Sequence, residues 1–240
     1  AHRFAEKGMP VVGVPKTIDN DMGGTVITFG FDTAVNIATE AIDRLHSTAK
    51  SHDRVMVVEV MGRNAGFIAL NSGISGNADV ILIPEIPFDL EKICDKLMEN
   101  ELNGRKYAIV VVAEGAVPKG GDVIIKGEAE GGRQHVVLGG IAEYVAKEIS
   151  KRTGKDSRSM VLGHLQRGGS PTTFDRLLSL RFGAAAVRAI EAGKFDHMVA
   201  LKSPDIALVP LAEALGIQKR VDVNGDTVLT ARDIGICFGD

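Results

Sequence analysis

Short apolar runs alternate along this chain with stretches in which apolar residues recur at helical spacing. Val11-Val12-Gly13-Val14 is a brief run ended by Pro15, the pattern of a buried strand. Phe31, Val35, Ala38, Ile42, Leu45 and Ala49 then recur at alternating intervals of four and three, predicting an amphipathic helix over about 31–50. Residues 54–60 (RVMVVEV) read as a second strand, 65–75 as a helix, and 80–83 (VILI) as a strand stopped by Pro84. Asp89 stands at an N-cap position ahead of the helix that carries Leu90, Ile93, Leu97 and Met98. Residues 107–113 (YAIVVVA) are apolar throughout, as in a strand covered on both faces.

Further on the pattern loosens. Residues 116–134 are Gly-rich and polar and predict a mobile loop or a hairpin around 123–125. Leu138, Ile141, Val145 and Ile149 mark a helix, and residues 159–162 another strand. Ser170-Pro171 reads as an N-cap followed by a first-turn proline, opening a helix to about 192. Asn224-Gly225, between short alternating runs, is a hairpin signal. Strands alternating with helices at these intervals predict an α/β fold, a doubly wound parallel sheet with helices on both faces. Ligands of such sheets bind where strand C-terminal ends meet the following loops.

Composition narrows the function classes. The 240 residues carry Lys+Arg 28 against Asp+Glu 31, a net charge of −3 that supplies no basic field for nucleic acid. No run approaches the ~18 apolar residues of a membrane span. Two cysteines, Cys94 and Cys237, form no disulfide framework and favour a reducing cytoplasm. The chain does not start with Met, which points to a longer protein. Glycine is in excess, 28 residues, which predicts tight turns or close backbone approach to ligands.

The strand ends hold the candidate chemistry. After the first strand comes Pro15-Lys16-Thr17-Ile18-Asp19-Asn20-Asp21. Two carboxylates two residues apart repel unless a cation joins them, and Lys16 or a divalent ion would supply that charge. Either carboxylate could take a proton from a substrate hydroxyl; the same residues also suit a plain Asx-rich turn. Met61-Gly62-Arg63 follows the second strand, where Gly62 permits close approach and Arg63 could meet an anion. Glu114-Gly115 ends the strand at 107–113, a carboxylate suited to a sugar hydroxyl or to capping the next turn. Gly163-His164-Leu165-Gln166-Arg167-Gly168-Gly169-Ser170-Pro171 places a His and an Arg ahead of a helix N-terminus, which favours an anion. Arg54 and Arg158 are further cationic candidates, although a single Arg is usually surface charge.

Other signals carry little. Asp222-Val223-Asn224-Gly225-Asp226 begins like a calcium loop, but Thr227 and Asp233 stand where Gly and Glu are required, so the hairpin reading is preferred. His46 and His52 suit a solvated helix end, and Cys94 a small core residue. Neither GxxxxGK[ST] nor GxGxxG occurs.

Taken in order and at these intervals, the four strand-end motifs resemble the successive signatures of the phosphofructokinase family. The resemblance covers essentially the whole chain. It implies a phosphofructokinase-like α/β/α sandwich of two similar domains with exchanged segments, the first incomplete because the N-terminal portion with its Gly-rich phosphate loop is missing. Residues 1–30 and 166–216 would be the remnant of the phosphoryl-donor domain, and 31–165 with 217–240 the fructose 6-phosphate domain. The implied activity is phosphoryl transfer from ATP or pyrophosphate, with Mg²⁺, to the 1-hydroxyl of fructose 6-phosphate in glycolysis; the polypeptide alone would be inactive.

By the same resemblance Asp19 is the base, Asp21 supports Mg²⁺, and Thr17 contacts the transferring phosphate. Arg63 stabilises charge on that group, while Met61, Gly62 and Glu114 hold the sugar. Arg167 and His164 bind the 6-phosphate, joined by Arg54 and Arg158 from a neighbouring subunit of a homo-oligomer. Lys16 stands where many ATP-dependent members have Gly and bears on donor choice. Two other classes remain as alternatives: a non-catalytic sugar-phosphate-binding module, and a dinucleotide oxidoreductase suggested only by the α/β pattern.

Overall fold

The computed structural model describes residues 1–127 and 137–240. Along the chain the order is α1 (His2–Ala5), β1 (Val12–Gly13), β2 (Lys16–Thr17), β3 (Phe29–Gly30), α2 (Phe31–Ser51), β4 (Val55–Val60), α3 (Phe67–Ser75), β5 (Val80–Leu82), α4 (Leu90–Leu102) and β6 (Ala108–Ala113). There follow β7 (Ile125–Gly127), β8 (Val137–Leu138), α5 (Ile141–Thr153), β9 (Ser157–Val161), a 3-10 turn (Gly163–Arg167), α6 (Thr173–Glu191), β10 (His197–Lys202), β11 (Asp205–Pro210), α7 (Leu211–Gly216) and α8 (Asp226–Asp233). The chain divides into two compact units, residues 1–34 with 169–219 and residues 35–168 with 220–240.

The larger unit is built on a four-stranded parallel sheet in the order β5-β6-β4-β9. β4, β5 and β6 are buried along their whole length, so their sequences show no polar face. On one face Val55, Val57, Val80, Leu82, Val110 and Val112 pack with Ile93 and Leu97 of α4 and Val145 and Ile149 of α5. On the other face Gly73 of α3 lies so close to Ile81 that a Cβ there would meet its side chain at 2.6 Å. Helices on both faces of a parallel sheet are what the alternating pattern predicts.

One polar residue sits among the three buried strands of this sheet. Glu59, the fifth of the six residues of β4 and 3% exposed, accepts the backbone N–H groups of Gly140 and Ala142, each at 3.1 Å. Its carboxylate therefore caps the N-terminus of α5, where negative charge is favoured. Asp79 is handled similarly: it accepts from Ile109 N at 2.9 Å and Asn100 Nδ2 at 2.8 Å and pairs with Arg105 at 3.1 Å. Burial pushes its carboxyl up from the ordinary value despite those partners.

The smaller unit has a mixed sheet, β1-β10-β11, in which β1 and β10 are parallel and β10 and β11 antiparallel. The sequence reading contains neither β10 nor β11. Leu178, Phe182 and Ala185 of α6 cover one face against Val199 and Leu201. Leu211 and Ala214 of α7 cover the other against Met198, Ala200 and Val209. Two helix starts meet here. Thr33, in the first turn of α2, donates from its backbone and hydroxyl to Asp175 of α6 at 2.8 and 2.5 Å, and Thr172 donates to Asp32 at 2.6 Å.

Several expectations need correction. α6 starts at Thr173, not at 171: the Thr172 hydroxyl accepts from Asp175 N at 3.2 Å and is the N-cap, so Ser170-Pro171 is lead-in chain. Asn224-Gly225 makes no hairpin. Asp222 closes an Asx turn onto Asn224 N at 3.0 Å, Gly225 keeps a φ of −75°, and α8 follows, burying Val228 and Ala231. His46 is not merely solvated, for its ring Nε2 lies 2.7 Å from the Gly76 carbonyl. In the segment at 116–134, β7 pairs antiparallel with β8. β8 lies beyond that segment, and residues 128–136 between the two strands lie outside the described residues.

Candidate functional site

The candidate residues fall in both units, and each group is described within its own. In the smaller unit they occupy the loop between β2 and β3. These strands are only two residues long, with Lys16 opposite Phe29 and Thr17 opposite Gly30. Side chains supply the rest of the loop's shape. Buried Asn20 adopts a left-handed φ of +54° and accepts Thr28 N at 3.1 Å, while the Thr28 hydroxyl donates to the Thr17 carbonyl at 2.8 Å.

Within this frame Thr17 and Asp19 are tied twice. The Thr17 hydroxyl accepts from Asp19 N and donates to its carboxylate, both at 3.2 Å. Asp21 is held from elsewhere: its carbonyl accepts Lys219 N at 2.8 Å and its carboxylate accepts Gln218 Nε2 at 3.3 Å. Lys219 also donates from Nζ to the Val26 carbonyl at 2.6 Å. Burial pushes the Lys219 ammonium down to about 8, and the Asp21 charge opposes that shift. Lys16, by contrast, is exposed at the head of β2. The cation that sits with Asp21 in this unit is thus Lys219, not the sequence neighbour Lys16.

Asp19 and Asp21 are the only acidic pair in this loop, and no cluster of three or more metal-ligating side chains occurs among the described residues. Such a donor set suits magnesium, which is commonly held by one or two carboxylates and by substrate phosphates rather than by a protein cage.

In the larger unit the candidates gather at the C-terminal ends of β4, β6 and β9. Met61 N donates to Gln166 Oε1 at 3.3 Å, and Gln166, 1% exposed, donates in turn to the Gly163 carbonyl at 3.1 Å. Arg167 Nε lies 3.4 Å from Met61 Sδ. Gly62 has a φ of +146°, and a Cβ there would stand 2.8 Å from the Ala65 carbonyl, so glycine is required twice over. Gly115 N donates to the Gly62 carbonyl at 3.1 Å, which brings the Glu114-Gly115 turn against Arg63. Arg63 and Glu114 are both half-buried, while His164 and Arg167 are exposed on the 3-10 turn. Glu85 fixes the far side of this loop, accepting Gly66 N at 3.1 Å and Val221 N at 2.9 Å.

Met61, Gly62, Arg63, Glu114 and Arg167 are therefore brought together. Arg54 and Arg158 are not among them. Arg54 precedes β4 and Arg158 lies at the start of β9, whereas Met61 and His164 follow those strands. The six residues of β4 separate the two ends by about 20 Å. Both arginines pair instead with Asp156, at 2.5 and 3.2 Å.

Sequence reasoning passed over Gln166, Glu85 and Lys219. Gln166 lies inside the motif that follows β9, but nothing in its type distinguishes a buried bracket from a surface amide. Glu85 and Lys219 act on loops roughly 20 and 200 residues away in the chain and leave no local signal.

Comparison with known proteins places these motifs in context. The family model for phosphofructokinase matches residues 1–190. The chain is 58% identical to an ATP-dependent 6-phosphofructokinase of Chloroflexus aurantiacus, over 97% of this chain and 64% of that protein. It is 54% identical to a pyrophosphate–fructose 6-phosphate 1-phosphotransferase of Streptomyces coelicolor, over 100% of this chain and 68% of that protein. Among solved structures, a pyrophosphate-dependent phosphofructokinase from Marinobacter aquaeolei superposes with a TM-score of 0.77 at 26% identity, over 99% of this chain and 60% of that one. Phosphofructokinase from Saccharomyces cerevisiae superposes with a TM-score of 0.75 at 36% identity, over 87% of this chain and 26% of that one. The chain thus spans 64% of the length of the Chloroflexus relative.

Proposed function

This chain belongs to the phosphofructokinase family, and from that premise we propose that it serves phosphoryl transfer from ATP or pyrophosphate to the 1-hydroxyl of fructose 6-phosphate. Asp19 takes the hydroxyl proton as the sugar oxygen attacks the terminal phosphorus. The bond from that phosphorus to the departing ADP or phosphate breaks, giving fructose 1,6-bisphosphate. The observation that carries this reading is the double tie between Thr17 and Asp19, which fixes a carboxylate beside a hydroxyl in a loop braced by buried Asn20. A fixed base is what general-base catalysis of phosphoryl transfer needs.

The remaining residues take positional and electrostatic roles. Thr17 contacts the transferring phosphate, and Arg63 offsets the charge that develops on it. Met61, Gly62 and Glu114 hold the sugar, and His164 and Arg167 the 6-phosphate. Magnesium, when bound, neutralises charge on the donor phosphates, and Asp21 would support it. Residues 1–30 with 166–216 serve the donor, Arg167 excepted, and 31–165 with 217–240 serve the sugar phosphate, the 217–219 segment excepted, in a cytoplasmic enzyme. The relatives carry both donor names at similar identity, and Lys16 is the residue here that bears on the choice. Full-length protein assayed with Mg²⁺, fructose 6-phosphate and each donor in turn is expected to form fructose 1,6-bisphosphate with one of them. No product with either donor would overturn the assignment.

Arg54 and Arg158 are proposed to complete the sugar-phosphate site of a neighbouring copy. Their support is the strand length that separates them from Met61 and His164 in their own chain. Mixed oligomers of full-length Asp19→Ala and Arg158→Ala chains are then expected to recover turnover at limiting fructose 6-phosphate that neither variant has alone. Mixtures no more active than their components would refute the shared site.

A further inference from the structure

The loop that carries Asp19 and Asp21 is weakly anchored by its own strands, with two residue pairs between β2 and β3. Its far side is gripped by a distant segment, residues 217–219. Met22 and Gln218 form an antiparallel bridge. Lys219 N and the Gln218 amide both reach Asp21, while Lys219 Nζ reaches across to the Val26 carbonyl. The two backbones approach so closely that a Cβ on Gly23 would stand 2.6 Å from the Ile217 carbonyl. Lys219 thus ties together both limbs of the loop, at Asp21 and at Val26, five residues apart.

From this arrangement we propose that Lys219 is a positioning residue for phosphoryl transfer, holding the Asp19–Asp21 segment in its working conformation by pinning Asp21 through its backbone and Val26 through its ammonium. The inference rests on the phosphofructokinase reading for its link to turnover, while the pinning itself does not. A half-buried ammonium on a carbonyl makes a charge-assisted hydrogen bond, roughly twice as strong as a neutral one. The same ammonium offsets the negative charge of a loop whose acidic residues would otherwise repel. A methionine keeps the apolar stem of Lys219 and loses both effects. Arginine keeps the charge and a donor.

The test uses full-length protein with Lys219→Met and Lys219→Arg. Lys219→Met is expected to lower kcat about tenfold or more, the scale of one charge-assisted hydrogen bond, with the KM for fructose 6-phosphate within about twofold. Lys219→Arg should recover most of the loss. Hydrogen exchange supplies a readout that needs no turnover: amides of residues 19–28 should exchange faster in Lys219→Met, with those of β10 and β11 unchanged. Wild-type kcat together with unchanged exchange in residues 19–28 would overturn the proposal. Equal acceleration in β10 and β11 would also overturn it, since it would mean general loosening of the unit. Absence of turnover in the wild-type protein with either donor would instead remove the family activity and leave the exchange comparison to decide the pinning.

Discussion

Asp19→Ala in the full-length protein is expected to cut kcat by about 10²–10⁴-fold, the usual worth of a general base, while fructose 6-phosphate binds as before. The separation follows from where the residue sits. Asp19 belongs to the smaller unit, where its carboxylate accepts from the Thr17 hydroxyl. The residues proposed to hold the sugar phosphate belong to the larger unit, where Gln166, Gly115 and Glu85 brace them. The substitution removes the proposed proton acceptor and leaves the bracing residues Gln166, Gly115 and Glu85 themselves unchanged. The backbone N–H of Asp19 still reaches the Thr17 hydroxyl, so that tie between the two residues is kept.

The measurement pairs initial rates with calorimetric titration of fructose 6-phosphate. Unchanged turnover would remove Asp19 as the base. It would favour the other class considered for this chain, a sugar-phosphate-binding module. Loss of binding together with turnover would make Asp19 a scaffold residue instead.

How much of this was legible beforehand differed between the units. The larger unit announced itself because β4 and β6 are buried on both faces, and a strand of that kind is a continuous apolar run in sequence. α4 and α5 show a clean stripe for the opposite reason, each having one wet face. In the smaller unit β10 and β11 each carry a four-residue apolar run, 198–201 and 206–209, on either side of Ser203-Pro204, a strand signal as long as the one at 80–83. Asn224-Gly225 misled because the dipeptide also suits a helix start once Asp222 has closed an Asx turn. The motifs supply the candidate residues, since ligands of such sheets bind at short stretches outside the strand ends. Their supports were hidden, because a bracket such as Lys219 on Asp21 is set by tertiary folding alone.

The glycine excess raised at the sequence level finds its sharpest use at Gly115. Its φ is not in the left-handed region, so conformational freedom is not the reason for glycine here. The reason is space: a Cβ at this position would lie 2.0 Å from the Arg63 carbonyl oxygen and 3.0 Å from that of Gly62. Both atoms are backbone, and the Gly115 N–H is bonded to Gly62. No side-chain rotation can relieve the contact, so the Met61–Arg63 segment must move. Gly115→Ala is therefore expected to lower kcat/KM for fructose 6-phosphate by about 10²-fold, since a 1 Å misplacement can cost that much. Overpacking of this kind should also destabilise the larger unit by about 1–3 kcal/mol.

Gly168→Ala is the matched control. Gly168 is close in sequence to Arg167, but its added Cβ meets only the Leu165 carbonyl at an ordinary 3.6 Å. It should leave kcat/KM within about threefold and stability within about 0.5 kcal/mol. Steady-state kinetics and urea unfolding of the two full-length variants decide the matter. If Gly115→Ala behaves like Gly168→Ala, the close approach of the two strand-end turns is not what sets Arg63. If only Gly115→Ala fails, Arg63 is placed by the absence of a single methyl group on the neighbouring strand end.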